Sequence, residues 1–139
     1  QIEAKPVSRP MTTNLHVGSR ILVVEDNLEI LNACTRALEM EGFEVVTALT
    51  GRDAMVRISE EKPFDLLFSD IVLPGDMSGI DVQREAFLIQ PNMKSILTTG
   101  YADVEGVGEQ TFITGTQILK KPYTRKELLD RIEATLAQS

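Results

Sequence analysis

Acidic, hydroxyl and basic residues follow four short apolar runs of this 139-residue chain: Glu25 with Asp26, then Asp70, Thr98 and Lys121. Carboxylates gathered at one place repel one another, which raises the cost of ionising all of them. A hard divalent cation such as Mg²⁺ removes that cost and keeps water and phosphate oxygens among its ligands. One carboxylate could then attack phosphorus and form an acyl phosphate, while the hydroxyl and the ammonium stabilise the transferring oxygens.

These side chains can meet only if the apolar runs are neighbouring strands. The run Ile21-Leu22-Val23-Val24 is typical of a strand buried on both faces. Four more strands are predicted, at 43–49, 66–70, 95–98 and 117–120. Helical spacing or capping residues predict helices at 28–41, 50–59, 78–90 and from 124 onward, and a weaker one at 103–112, where two glycines lower the helix propensity.

Alternating strands and helices predict an α/β fold, a doubly wound parallel sheet of five βα units. Periodicity does not give the strand order, and we expect the flavodoxin-like order 2-1-3-4-5 because it is the usual solution at this size. In that order, the carboxyl ends of strands 1, 3, 4 and 5 are neighbours. The arm at 1–18 has linker composition, with Pro6, Pro10 and no apolar period, so we expect the folded domain at 19–139.

Composition excludes several classes of function. The net charge of −7 argues against a nucleic-acid-binding surface, which needs clustered Lys and Arg. The sequence has no run long enough to span a membrane and no signal peptide, so we expect no direct membrane contact and a cytoplasmic location. Cys34 and His16 are the only residues of their types, which excludes an internal disulfide and a multi-histidine zinc site. We expect Cys34 to be a buried helix residue, and the first residue, Gln1, suggests a piece of a longer chain.

Five segments together resemble the receiver domains of two-component response regulators, over about residues 20–138. They are Val23-Val24-Glu25-Asp26-Asn27, Ser69-Asp70-Ile71-Val72-Leu73-Pro74-Gly75, Met77-Ser78-Gly79, Leu97-Thr98-Thr99-Gly100-Tyr101 and Lys120-Lys121-Pro122-Tyr123. The resemblance implies a phosphorelay domain that accepts a phosphoryl group from a histidine kinase or a phosphotransfer domain.

The resemblance also implies roles for individual residues. Asp70 would be the phosphoacceptor, Thr98 the switch hydroxyl and Lys121 the phosphate-binding lysine, with a cis Lys121–Pro122 bond as a candidate. The cofactor would be Mg²⁺, held by acidic side chains and a backbone carbonyl: Glu25, Asp26, Asp70 and the carbonyl of Val72.

The loops after strands 3 and 4 look most like receivers fused to hybrid sensor histidine kinases, whose parent chain could be membrane-anchored. Phosphorylation would then switch an output or homodimer face within 100–123. Ile118 stands where the family often has an inward-rotating aromatic residue, so an aromatic rotamer switch is doubtful, and Tyr101 is an alternative reporter.

Two other functions compete with the phosphoacceptor hypothesis. A degenerate receiver would act only as a protein-binding module, although the complete set of acids, hydroxyl and lysine argues against it. A haloacid-dehalogenase-type phosphatase would need a second aspartate at position 72, where the sequence has valine. The chain also lacks a P-loop and a Gly-x-Gly-x-x-Gly after its first strand, which disfavours nucleotide binding.

Overall fold

The computed structural model describes residues 16–100 and 116–138. The strands are β1 (Arg20–Val24), β2 (Glu44–Ala48), β3 (Leu66–Asp70), β4 (Lys94–Thr99) and β5 (Gln117–Lys120). The helices are α1 (Leu28–Met40), α2 (Gly51–Glu60), α3 (Gly79–Ile89) and α4 (Arg125–Leu136). The helix predicted at 103–112, Tyr101 and most of the arm lie outside the described residues.

The five strands form one parallel sheet in the order β2-β1-β3-β4-β5, which confirms the predicted flavodoxin-like topology. All of β1 and β3 is buried, as expected for central strands covered by helices on both faces. The predicted bounds of the five strands agree with the observed bounds to within one residue at every end.

Each helix begins at a polar residue whose side chain accepts a hydrogen bond from a backbone N–H of the first turn. These residues are Asn27, Thr50, Ser78 and Thr124. Ser78 and Thr124 each take part in a second hydrogen bond, in which the acid three residues later accepts from the backbone N–H of the capping residue. Local sequence therefore determines where each of these helices begins. These positions also set where the loops that follow the carboxyl ends of the strands end.

Side-chain alternation along the strands divides the core into two layers. Ile21, Val23 and Phe68 face α1 and α4, where they pack with Leu38 and Ile132. The alternate strand residues, such as Leu22 and Leu67, face α2 and α3 instead. Among the described helices, none combines the length and apolar character that crossing a bilayer requires.

Candidate functional site

Four of the predicted site residues share one face of the sheet because strand side chains repeat every two residues. Phe68 packs toward α1 and α4, and Asp70 lies two residues further along β3, so it faces the same side. The same step of two residues leads from other members of that core layer to the remaining site residues: Val23 to Glu25, Ile96 to Thr98 and Leu119 to Lys121. The alternation that builds the core therefore also aligns the polar groups beyond it.

Three carboxylates meet where β1 and β3 end. Glu25, Asp26 and Asp70 each offer an oxygen, and these oxygens all lie within 4.8 Å of one another. Glu25 and Asp70 are buried, whereas Asp26 is exposed. Such a cluster carries a large local negative charge at the rim of a hydrophobic core, and it needs a cation to balance it.

Lys121 supplies one positive charge to this cluster. Its Nζ lies 2.9 Å from Asp70 Oδ2 and 3.0 Å from Glu25 Oε1. Burial alone would lower the pKa of Lys121, but the hydrogen bonds to the two carboxylates outweigh it and raise the pKa above its usual value. The lysine therefore stays charged at neutral pH and bridges two of the three acids.

Glu25 is held from two sides. Its Oε1 accepts from Lys121, and its Oε2 accepts from the backbone N–H of Asn27 at 3.0 Å. The side chain of Asn27 in turn accepts from Ile30 N and caps α1. The start of α1 thus fixes the rotamer of Glu25, which leaves Asp26 as the acid of the cluster that faces solvent.

Thr98 and Val72 complete the set of predicted site residues. Thr98 is the register partner of Asp70, so the two side chains point to the same face of adjacent strands, and Thr98 is buried. The backbone N–H of Ile71 donates to the carbonyl of Thr98 at 2.9 Å, which continues the β3–β4 ladder past Asp70. Val72 lies in the loop after β3 with its side chain exposed. The Lys121–Pro122 bond is cis, as predicted.

With this geometry in view, the comparisons with known proteins are decisive. The family model described as "Response regulator receiver domain" matches residues 21–133. This chain belongs to the response regulator receiver family. A receiver protein named CpdR, from Brucella abortus, is 36% identical over 117 residues, which cover 84% of this chain and 96% of that protein.

Two solved receiver structures are similar to this receiver in fold as well as sequence. A CheY-like receiver domain protein from Methanospirillum hungatei is 33% identical with a TM-score of 0.71, over 86% of this chain and 94% of that one. The receiver domain of a hybrid histidine kinase named CckA is 27% identical with a TM-score of 0.69, over 85% and 99% of the two chains. The family is therefore shown by sequence and by structure together.

The residues of this receiver fit a hard divalent cation. The three acidic oxygens are close enough to share one ion, and the exposed side of the cluster at Asp26 leaves room for the water ligands that Mg²⁺ retains. The donor set contains oxygen only, which favours Mg²⁺ over softer transition metals.

Two contacts of the receiver escaped the sequence reasoning. Tyr123 Oη lies 3.0 Å from the Sγ of Cys34, a residue 89 positions away in the chain. Gly79 packs so tightly under β3 that a Cβ there would overlap the backbone carbonyl of Asp70. Cys34 is buried on α1 as predicted, but no local pattern signals its bond to Tyr123, because only the folded topology brings the two residues together.

Proposed function

We propose that this receiver accepts a phosphoryl group on Asp70 from a phosphohistidine of a partner kinase or phosphotransfer domain. The observation that carries the proposal is the position of the Asp70 carboxylate, which lies at the carboxyl end of a central strand, within 2.9 Å of an ammonium and beside two further acids. In open α/β sheets, this edge is where ligands bind.

In the proposed transfer, a carboxylate oxygen of Asp70 forms a bond to phosphorus as the bond from phosphorus to the histidine nitrogen breaks. The ring nitrogen that does not carry phosphorus holds a proton taken from solvent, so the imidazole leaves neutral, and Asp70 becomes an acyl phosphate. Lys121 stays protonated and donates to the phosphoryl oxygens in place of one of its carboxylate partners. Thr98, on the adjacent strand, offers its hydroxyl to the same oxygens.

Glu25, Asp26, Asp70 and the backbone carbonyl of Val72 would hold Mg²⁺. When bound, the ion neutralises charge on the phosphoryl oxygens and on the acids that face them. The chain's own contribution is to keep Glu25 fixed by Asn27 and Lys121, so that the carboxylates are ordered before a donor arrives.

The direct test is phospho-labelling of the full chain with acetyl phosphate and MgCl₂, followed by intact-mass analysis. Wild type should gain one phosphoryl group that hydroxylamine removes, whereas Asp70→Asn should gain none. Asp65→Asn is the matched control, since Asp65 is exposed and lies just before the same strand. Labelling that survives in Asp70→Asn, or a folded wild type that neither binds Mg²⁺ nor becomes labelled, would contradict the proposal and favour a binding-only receiver.

The parent protein is a separate question. We propose that the arm at 1–18 is a linker and that the domain at 19–139 is the cytoplasmic receiver of a hybrid kinase. The likeness to the CckA receiver supports this arrangement, while the near-complete overlap with CpdR supports a stand-alone regulator instead. Sequencing the reading frame upstream of Gln1 decides between them: a kinase ATP-binding domain there supports the hybrid arrangement, and a start codon close by contradicts it.

The proposed output face at 100–123 lies mostly outside the described residues. Within the described part, Ile118 is half-buried against Ile71 and Leu97, at the position where the family often has an aromatic residue. The proposal is that Thr98 and Lys121 move toward the new phosphoryl group and shift this face between two populations.

A further inference from the structure

Tyr123 contacts two elements that border the acid cluster. Its hydroxyl and the thiol of Cys34, on α1, form a hydrogen bond of 3.0 Å. Its ring meets the ring of Phe68 edge-on, with centroids 6.0 Å apart and an angle of 80° between the planes. Phe68 precedes Asp70 by two residues on β3, and Tyr123 follows Lys121 by two residues. The tyrosine therefore ties the segment that carries the lysine to both the strand of the aspartate and helix α1.

We propose that Tyr123 and Cys34 are a positioning pair that determines where Lys121 presents its ammonium to Asp70 and Glu25. This inference rests on the proposed function, because it concerns how efficiently the same site accepts a phosphoryl group. It goes beyond that function because neither residue touches the acids or the incoming group.

The sheet holds the backbone of Lys121 on its N-terminal side only. Its N–H donates to the carbonyl of Thr99 at 2.8 Å, and the segment then leaves β5 toward α4. A lysine side chain is a flexible four-carbon stem, so the position of its charge depends on how firmly its backbone is held. The contacts of Tyr123 supply the second anchor, two residues beyond the lysine.

The bond between Tyr123 and Cys34 joins a half-buried tyrosine to a buried thiol. Only 3% of Cys34 is exposed, and it belongs to the core layer that contains Phe68 and Leu128. Tyr123 is half-buried, and a partly buried hydroxyl that loses its partner costs free energy, which opposes any shift of the tyrosine away from α1. A thiol is a weak hydrogen-bonding group, so the bond restrains the segment around Tyr123 but still allows it to move.

The test compares four variants of the full chain: Tyr123→Phe, Cys34→Ala, Cys34→Ser and the double variant Tyr123→Phe/Cys34→Ala. The rate of phosphorylation by acetyl phosphate at saturating Mg²⁺ should fall about fivefold in each of the first two, the effect of one lost hydrogen bond. The double variant should be no slower than either single variant, because both remove the same bond. Cys34→Ser should recover most of the rate, since its hydroxyl can replace the thiol.

A purely structural role is separated by Leu129→Ala, a change in the same core layer on α4. If the tyrosine only adds stability, Tyr123→Phe and Leu129→Ala should change the rate in proportion to their unfolding free energies. Of these two variants, the proposal expects the rate to fall only in Tyr123→Phe. Additive losses in the double variant, or a wild-type rate in Tyr123→Phe, would overturn it.

A second measurement does not depend on phosphorylation, so it separates failure of this inference from failure of the proposed function. Acetylation of Lys121 by an N-hydroxysuccinimide ester, followed by peptide mass analysis, reports how firmly its ammonium is held. Tyr123→Phe and Cys34→Ala should raise the labelling of Lys121 severalfold relative to the exposed Lys62. Unchanged labelling of Lys121 in both variants would reject the positioning pair even if wild type cannot be phosphorylated.

Discussion

Lys121 and Asp70 are joined by a 2.9 Å contact between ammonium and carboxylate, and the same ammonium lies 3.0 Å from Glu25. The lysine is thus the intrinsic counter-charge of an acid cluster in which two of three members are buried. A divalent ion bound at the cluster would neutralise part of the negative charge that Lys121 neutralises in its absence, so the contribution of the lysine would be smaller with the ion bound.

Replacing Lys121 by methionine keeps the stem and removes the charge. Without Mg²⁺, we expect the free energy of unfolding to fall by about 2 kcal/mol, since hydrogen bonds to two carboxylates are lost. Added Mg²⁺ should restore more stability to this variant than to wild type. Urea unfolding with and without MgCl₂ measures both effects. The control is Lys120→Met, because Lys120 is exposed. Equal unfolding curves for the two variants would refute the counter-charge role.

A divalent ion that binds only the folded domain should stabilise it by an amount that rises with the logarithm of the ion concentration above the dissociation constant. At tenfold its dissociation constant, Mg²⁺ is expected to add about 1.4 kcal/mol. Asp26→Asn should abolish most of this gain because Asp26 is the solvent-facing acid of the cluster. Glu29→Gln is the matched control, since Glu29 is an exposed acid in the first turn of α1. The measurement is the shift of the thermal midpoint with MgCl₂; an equal shift in both variants would place the ion elsewhere.

Gly79 allows α3 to start directly beneath strand β3, which ends in Asp70. Its N–H donates to the Ile71 carbonyl at 2.7 Å, and a Cβ at this position would overlap the carbonyl of Asp70. Gly79→Ala should therefore cost about 3 kcal/mol, because backbone atoms rather than a flexible side chain must move.

Gly75 offers the comparison for that variant. It has a positive φ of 92°, but a Cβ there would meet open space. Gly75→Ala should cost about 1 kcal/mol through backbone strain alone. Chemical unfolding of both variants ranks them, and a Gly79→Ala protein as stable as Gly75→Ala would show that the close approach is not needed.

Much of this fold follows from local patterns. The run Ile21 to Val24 predicts a central strand, and Ser78 and Thr124 predict helix starts, because burial and capping act over a few residues. Local patterns do not give the strand order, which is predicted only as the usual order for a parallel sheet of this size; the meeting of the acids follows from that order. The bond between Cys34 and Tyr123 does not, since it depends on how α1 and the segment after β5 approach each other across 89 positions.

The pair of Tyr123 and Cys34 should also affect how the free energy of unfolding changes at alkaline pH. Burial and the bond to Cys34 raise the pKa of Tyr123 above its ordinary value of 10.0, and burial raises the pKa of the Cys34 thiol. Above the ordinary tyrosine pKa, the unfolded chain ionises Tyr123 while the folded chain keeps the proton, so the contribution of Tyr123 to stability is intact below about pH 10 and declines above it. Tyr123→Phe removes this contribution, and its free energy of unfolding should decline less steeply than that of wild type. Urea unfolding at stepped pH measures the two slopes, with Leu129→Ala as a control that keeps both groups. Parallel slopes for wild type and Tyr123→Phe would mean that the hydroxyl titrates as freely in the folded protein as in the unfolded one.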